Sequence, residues 1–303
     1  MNKKTDAFND KKIRVPFVVP TINSDDKNQI LKALSSNLLT DGPNLREFEK
    51  KFQNYTKSNF STGVSNATAG LMLSLKALGI SKNDEVIIPD MTFVATANAV
   101  LSCNATPVLA DVNYEDLNIS IDSIEENITN KTGAIIPVHF AGKSCNMKQI
   151  MKIAKKYDLK IVEDCAHALG TFYDKKHVGT FGDTGCFSFY PTKNLTTFEG
   201  GMIISKAKKI TEILRKSRNH GIDKSLKDRF TRGKPWEFDI EELGFNFRLD
   251  EIRSALGNNQ LKRLGNMNNQ RRSAAKYYHS KLKDVKGISL PSQKLSADNS
   301  WHL

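Results

Sequence analysis

One lysine stands in an unusual frame. In "GCFSFYPTKNLTTFEGG", Gly185 to Gly201, Lys193 follows the aromatic approach "CFSFYP" and precedes two threonines and a Gly-Gly pair. Most lysines are solvated, but an amine whose pKa is lowered by its surroundings can serve as nucleophile or base. A second stretch, "KIVEDCAHALG", puts two acids at the end of an apolar run, with His167 three residues after Asp164. Ligands gather at the carboxyl ends of strands in open α/β sheets, and Asp164 falls at such an end. A helix cap is the plainer use for one of these acids. A lone histidine is more often a satisfied core residue than a catalyst, so His167 gains weight only from its neighbour. A third stretch, "SNATAG", reads as a helix start. Its backbone N–H groups and the Thr68 hydroxyl would make a phosphate-sized anion site, although many helices begin this way. Neither GxxxxGK[ST] nor GxGxxG occurs, so the common nucleotide loops are absent.

A lysine, an acid at a strand end and an anion-binding helix start are the three things pyridoxal 5′-phosphate (PLP) requires. The lysine forms its Schiff base, the acid partners its pyridinium nitrogen, and the helix start cradles its phosphate. Other α/β enzymes also combine lysines with acids, so spacing alone leaves the cofactor open.

The elements that must position these residues follow a pattern. "SDDKNQILKALSSNLL" spaces Ile30, Leu31, Leu34 and Leu38 as one helix face. "TDGPNLREFEKKF" is a Gly-Pro turn and a second helix, and Ser65 or Asn66 caps a third that carries Leu71, Leu75 and Leu78. Then "DEVIIP", "TPVLADV", "GAIIPVHF" and "KIVEDCAHA" read as strands. They alternate with the helices "TFVATANAVLSC", "SIDSIEENI" and "NMKQIMKIAKKYDL", the last with Met147, Ile150, Met151 and Ala154 on one side. "GCFSFY" and "GMIIS" add two strands. Such alternation predicts an α/β fold with a mainly parallel sheet covered on both faces. The tail from "FRLDEIRSALG" onward is long and helical. The expected organisation is a mobile lead-in over residues 1–12, a large α/β domain over 13–245, and the start of a small, incomplete C-terminal domain over 246–303.

The bulk numbers bound the class. The chain has 303 residues, 39% hydrophobic and 26% charged, as in an ordinary soluble globular protein. No apolar run reaches membrane-spanning length, and the charged N-terminus lacks the apolar segment of a secretory signal. Cys103, Cys145, Cys165 and Cys186 lie far apart, with neither metal-type pairing nor a disulfide framework, which suits a reducing cytoplasm. The net charge of +12 fits nucleic acid or an anionic substrate. The lysines lie scattered along helix faces, and zinc-finger, RNP and helix-turn-helix signatures are absent, which excludes the usual nucleic-acid modules.

Several of these stretches, in order, resemble the DegT/DnrJ/EryC1/StrS family of sugar aminotransferases, fold-type I PLP enzymes of the aspartate aminotransferase kind. The resemblance runs through "LLTDGPNLREFE", "VSNATAGLMLSLKALGI", "DEVIIPDMTFVATANAV", "VEDCAHALG", "GDTGCFSFYPTKNLTTFEGGMI", "RNHGI" and "GFNFRLDEIRSALG". It implies a three-layer sheet and PLP as cofactor. Lys193 becomes the Schiff-base residue, Asp164 the partner of the pyridinium nitrogen, and His167 a neighbour of the ring oxygen. Phe93 would stack on the ring, while Ser188, Thr68 and the Ala67 amide would hold phosphate. Asn246 would reach the phosphate of a second subunit, giving a homodimer with shared sites. Asp41, Arg218, His220 and Arg248 are candidates for the substrate. The implied activity moves an amino group from an amino acid, L-glutamate by family habit, to a keto group of a nucleotide sugar. A 4-keto-6-deoxy sugar is the commoner family substrate, and the products feed amino-sugar, polysaccharide or glycan synthesis. Relatives that act as sugar dehydratases carry histidine at the lysine position. Ala67 replaces the usual phosphate-loop glycine, and the chain stops at "NSWHL", where relatives continue. The rival reading is therefore a truncated, non-catalytic homologue that keeps fold and dimer.

Overall fold

A computed structural model describes residues 19–224, 229, 231, 233–234, 236–291 and 298–303. The lead-in over 1–12 lies outside them. The strands are β1 (Phe60–Val64), β2 (Glu85–Pro89), β3 (Thr106–Ala110), β4 (Thr132–Ile135) and β5 (Lys160–Asp164). The small pair β6 (Phe172–Tyr173) and β7 (Lys176–His177) and the strands β8 (Thr184–Ser188) and β9 (Gly201–Ser205) follow. Among the described residues a seven-stranded sheet has the order β1-β9-β8-β5-β4-β2-β3. β3, β2, β4, β5 and β8 run parallel, and β9 is antiparallel to both β8 and β1. Reversal at β9 returns β1 to the common direction. The carboxyl ends of β1, β5 and β8 therefore open on one side.

The helices are α1 (Ser24–Leu34), α2 (Pro43–Thr56), α3 (Ala67–Ala77), α4 (Ala95–Leu101), α5 (Ile121–Glu126), α6 (Met147–Tyr157), α7 (Lys208–Ser217) and α8 (Glu251–Leu282). Side chains alternate across the sheet and sort into separate cores. Val86 and Ile88 pack with Leu71, Leu75 and Leu214 on one face, while Ile87 packs with Ile124, Met147 and Ile150 on the other. Phe187 and Phe189 join Phe48 and Phe52 of α2, with ring centroids 5.1–6.1 Å apart along the cluster. This aromatic cluster accounts for the run ahead of Lys193: two of its rings anchor β8 and the following residue, while Tyr190 faces outward.

One expectation needs correction. The stripe on α1 does not face inward: Leu31, Leu34 and Leu38 are exposed, and Asp26 and Ala33 are buried instead. The cause is polar. Asp26 accepts from Asn259 and Gln260 of α8, pairs with Arg263, and closes a capping box with Asn23. Leu249, Leu261 and Leu264 belong to the aromatic core, so the first half of α8 packs into the large unit. Glu251 fixes this arrangement. Its carboxylate accepts from the amides of Gly42, Asn44 and Leu45 at 2.8–3.0 Å. It thereby caps α2, whose own N-cap Gly42 has no side chain to do so.

Candidate active site

Lys193 lies in the loop between β8 and β9. The loop is drawn closed by Phe189 N–H to Gly200 O and Thr197 N–H to Phe189 O, both 2.9 Å. A third bond, Lys193 N–H to Tyr190 O at 2.9 Å, makes a turn at the lysine itself. Burial lowers the Lys193 amine below its ordinary value, against the pull of Asp164. A partly buried amine with a lowered pKa is closer to the free-base state a nucleophile needs.

Asp164 ends β5 and is buried. Among the described residues its carboxylate accepts from Thr96 Oγ1 at 2.9 Å and Ala166 N–H at 3.1 Å. Burial raises its pKa, while Ala166, Thr96 and Lys193 pull the other way. A carboxylate has about four acceptor sites, so Asp164 keeps capacity for a further cationic donor. Thr96 lies outside the residues that spacing singles out. It is held in turn by Thr92 at 2.8 Å, and the one signal for it is its position one turn after Phe93.

Glu163, the other acid, points the opposite way and is saturated. It accepts from His139 Nε2 at 3.0 Å and from the amides of Gly179, Phe181 and Gly182 at 2.6–2.7 Å. The Cys145 amide donates to His139 Nδ1, so the ring proton sits on Nε2. Cys165 lies close to this pair, but the bonds leave Glu163 and His139 no free ligand atom for a metal.

The helix start expected to hold phosphate lies at the tip of β1. Asn66 caps α3 by accepting from Ala69 N–H at 2.8 Å. The amides of Ala67 and Thr68, at the first two helical positions, have no intrahelical partner, and Thr68 is exposed. Ser188 ends β8 level with Val64, both paired to Gly201 of β9. A Cβ on Gly201 would lie 2.7 Å from the Asn66 carbonyl carbon and 2.9 Å from the Ala67 nitrogen. Glycine there lets the helix start sit directly beside Ser188.

His167 has Nδ1 buried without a partner among the described residues. Burial, and then Lys193, lowers its pKa to about 3, so the ring is neutral. Phe93 lies in the turn after β2 with its ring 74% exposed. Asn246 is exposed on a segment bridged to Asn219. Its neighbour Phe247 accepts from the Ser65 amide at 2.8 Å, which ties that segment to the start of α3.

The substrate candidates separate from this cluster. Asp41, Arg218 and Arg248 line another cleft, of about 430 Å³, to which Lys193, Asp164 and His167 do not contribute. Arg218 is buried, donating to Glu49 at 2.8 Å and Gly63 O at 2.6 Å. Arg248 donates to Asn219 at 2.8 Å. His220 is exposed in a left-handed turn, φ 62°.

A deprotonatable lysine, an acid with spare acceptor capacity, an unpartnered histidine nitrogen and a bare helix start fit PLP. Fold and site define the fold-type I class of PLP enzymes. The DegT/DnrJ/EryC1/StrS aminotransferase family matches residues 20–303, and the chain belongs to that family. It is 36% identical over 289 residues to the spore coat polysaccharide biosynthesis protein SpsC of Bacillus subtilis, covering 95% of this chain and 74% of that protein. Among solved structures it is similar to Helicobacter pylori PseC, an aminotransferase involved in the biosynthesis of pseudoaminic acid. That match has 33% identity and TM-score 0.82, covering 89% and 71% of the two chains. It is also similar to the putative sugar aminotransferase Spr1654 of Streptococcus pneumoniae in its PMP form, with 30% identity and TM-score 0.88, covering 95% and 77%. The chain is thus a PLP-dependent sugar aminotransferase by family.

Proposed function

We propose that this protein moves the amino group of L-glutamate to the keto carbon of a nucleotide-activated sugar, a 4-keto-6-deoxy sugar, for amino-sugar and glycan synthesis. The observation that carries this is the half-buried Lys193, whose charge acts on an Asp164 carboxylate with unused acceptor capacity. When bound, PLP supplies an electron sink conjugated to the substrate's α-carbon and carries nitrogen between the two substrates. Lys193 would hold the cofactor through Nζ, and its free amine would serve as the base that takes the α-carbon proton of glutamate. Asp164 would partner the ring nitrogen and favour its protonated form. The amides of Ala67 and Thr68, with Ser188, would take the phosphate, Phe93 would stack on the ring, and His167 would lie near the ring oxygen. One water is consumed as glutamate becomes its oxo acid, and the sugar's carbonyl oxygen leaves as water.

The net charge of +12 supports an anionic second substrate. Asn246 is exposed, and so are Trp236, Phe238, Ile240 and Leu243 on the segment before it. These supports point to a homodimer in which Asn246, with His220 and Arg248, serves the site of a second copy. Asp41 shares a cleft with Arg248 and would contact the same substrate. The four free thiols, three of them buried, support a cytoplasmic setting. Lys193→Ala should retain the fold, by circular dichroism and melting, and lose all transamination of L-glutamate. Amino transfer at the wild-type rate by that variant would overturn the assignment.

A further inference from the structure

The segment 298–302 folds back onto the loop that carries Lys193. Phe172 N–H donates to Asp298 O at 2.8 Å, Ser300 N–H to Gly142 O at 3.3 Å, and His302 N–H to Ala141 O at 3.1 Å. Ser300 Oγ donates to His167 O at 3.0 Å, and Arg271 of α8 donates to the carbonyl oxygens of Trp301 and His302. Gly142 adopts φ +88°, and a Cβ on it would collide with Ser300 Oγ, so the dock is fitted to the segment.

Two contacts bring this segment to the chemistry. The His302 ring lies on the His167 ring, with centroids 4.3 Å apart and planes 34° apart. On its other side, His302 Nδ1 meets Asn194 Oδ1 at 3.2 Å. The directions in this chain are fixed by carbonyl groups, which can only accept. Asn268 donates to Leu169 O, so its Oδ1 faces Asn194. Asn194 donates to Asn268 Oδ1 at 2.7 Å and to Ser300 O at 2.8 Å, so its own Oδ1 faces His302. His302 therefore carries its proton on Nδ1. Asn194 is held by three bonds, and it is the residue next to Lys193.

We propose that His302 is a positioning residue for the active site. Its ring sets the face of His167 and keeps water from it, and its Nδ1–H, through Asn194, fixes the loop that carries Lys193. The proposal rests on the reading that Lys193 and His167 form the cofactor site. The groups facing His167 are Lys193 from the β8–β9 loop, the ring of Phe140 and His302, with Arg271 of α8 acting on His302. Burial first, then His167, Lys193 and Arg271, lowers His302 to about 2, so the two stacked rings are both neutral.

Two variants separate the roles, and the first readout needs no cofactor. In ¹⁵N NMR spectra of the cofactor-free protein at about pH 5, below the ordinary histidine value, wild-type His167 should be neutral. In His302→Ala, water reaches the ring, and the protonated fraction of His167 should rise at least about tenfold, one unit of pKa. His302→Phe keeps the stack and loses the donor. There His167 should remain neutral, while the first half-reaction with L-glutamate slows about tenfold at unchanged glutamate affinity. A purely structural strap would lower the melting temperature and move neither readout. An unchanged His167 in the Ala variant, or a Phe variant as fast as wild type, overturns the proposal. Failure of the wild type to bind PLP through Lys193 would instead sink the functional reading, and the NMR comparison would still decide whether His302 governs His167.

Discussion

Glu163 and Asp164 are neighbours on one strand, buried to a similar degree, and they do opposite work. The strand's alternation turns them to opposite faces. Glu163 meets four donors. Burial pushes its pKa up, and His139 and the amides outweigh that push, leaving it below its ordinary value. Asp164 meets two donors, and burial wins, leaving it above its ordinary value. One carboxylate is complete within the chain, so its charge belongs to the fold. The other keeps acceptor capacity to spare, and under the proposed function that capacity serves a ligand. Burial alone does not mark a functional acid. The count of donors around it does.

The comparison can be broken most severely at Glu163. Glu163→Ala should cost about 3–5 kcal/mol of stability, because it strands His139 and three amides in the interior. Chemical denaturation measures this, and a loss below about 1 kcal/mol would deny the acid its structural role. Asp164→Asn should leave the fold intact and slow transamination by about 10²–10³-fold, as loss of one oriented electrostatic partner does. Single-turnover kinetics with L-glutamate would read it.

The two acids should also part company in pH. A depressed acid contributes stability above its unfolded value and loses it as pH falls through the folded one. Glu163 therefore contributes fully above about 4.5 and less below it. A raised acid does the reverse. Cofactor-free Asp164→Asn should be more stable than wild type near neutrality, and that gain should close as pH falls from the raised native value to 3.8. Parallel denaturation curves at several pH values would show it, and a gain that is constant with pH would contradict it. Smaller again is Thr96→Val, which removes one hydrogen bond to Asp164. It should slow turnover by about tenfold, worth about 1.4 kcal/mol, with Thr96→Ser restoring most of the rate.

Much of this arrangement is legible in the sequence. The βα alternation places Asp164 at a strand end, and Asn66 marks the start of α3. What escapes is long-range. "NFSTGV" forms β1, but its Gly and Ser dilute the strand signal, and its pairing partner β9 is about 140 residues away. On α1, periodicity picks out the leucines, yet the inward position goes to Asp26 because α8 supplies amide and guanidinium partners. The tail looks separate because its surface is polar, while a few residues, Leu249, Leu261 and Leu264, tie it to the core. Thr96 and His302 carry no spacing rule, since each acts through one neighbour brought close by the fold. The cleft that collects Asp41, Arg218 and Arg248 is likewise a product of chain crossing, and local motifs do not separate it from the lysine site.

Glu251 caps a helix whose first residues were made 209 positions earlier. Until the ribosome has supplied that carboxylate, the amides at the start of α2 have no partner from the chain. At about 5–20 residues per second, the wait is roughly 10–40 s. During that interval Phe48 and Phe52 depend on a helix that is not yet closed. The nascent chain thus carries an unfinished aromatic surface through most of its synthesis, a stage at which a chaperone would find something to hold.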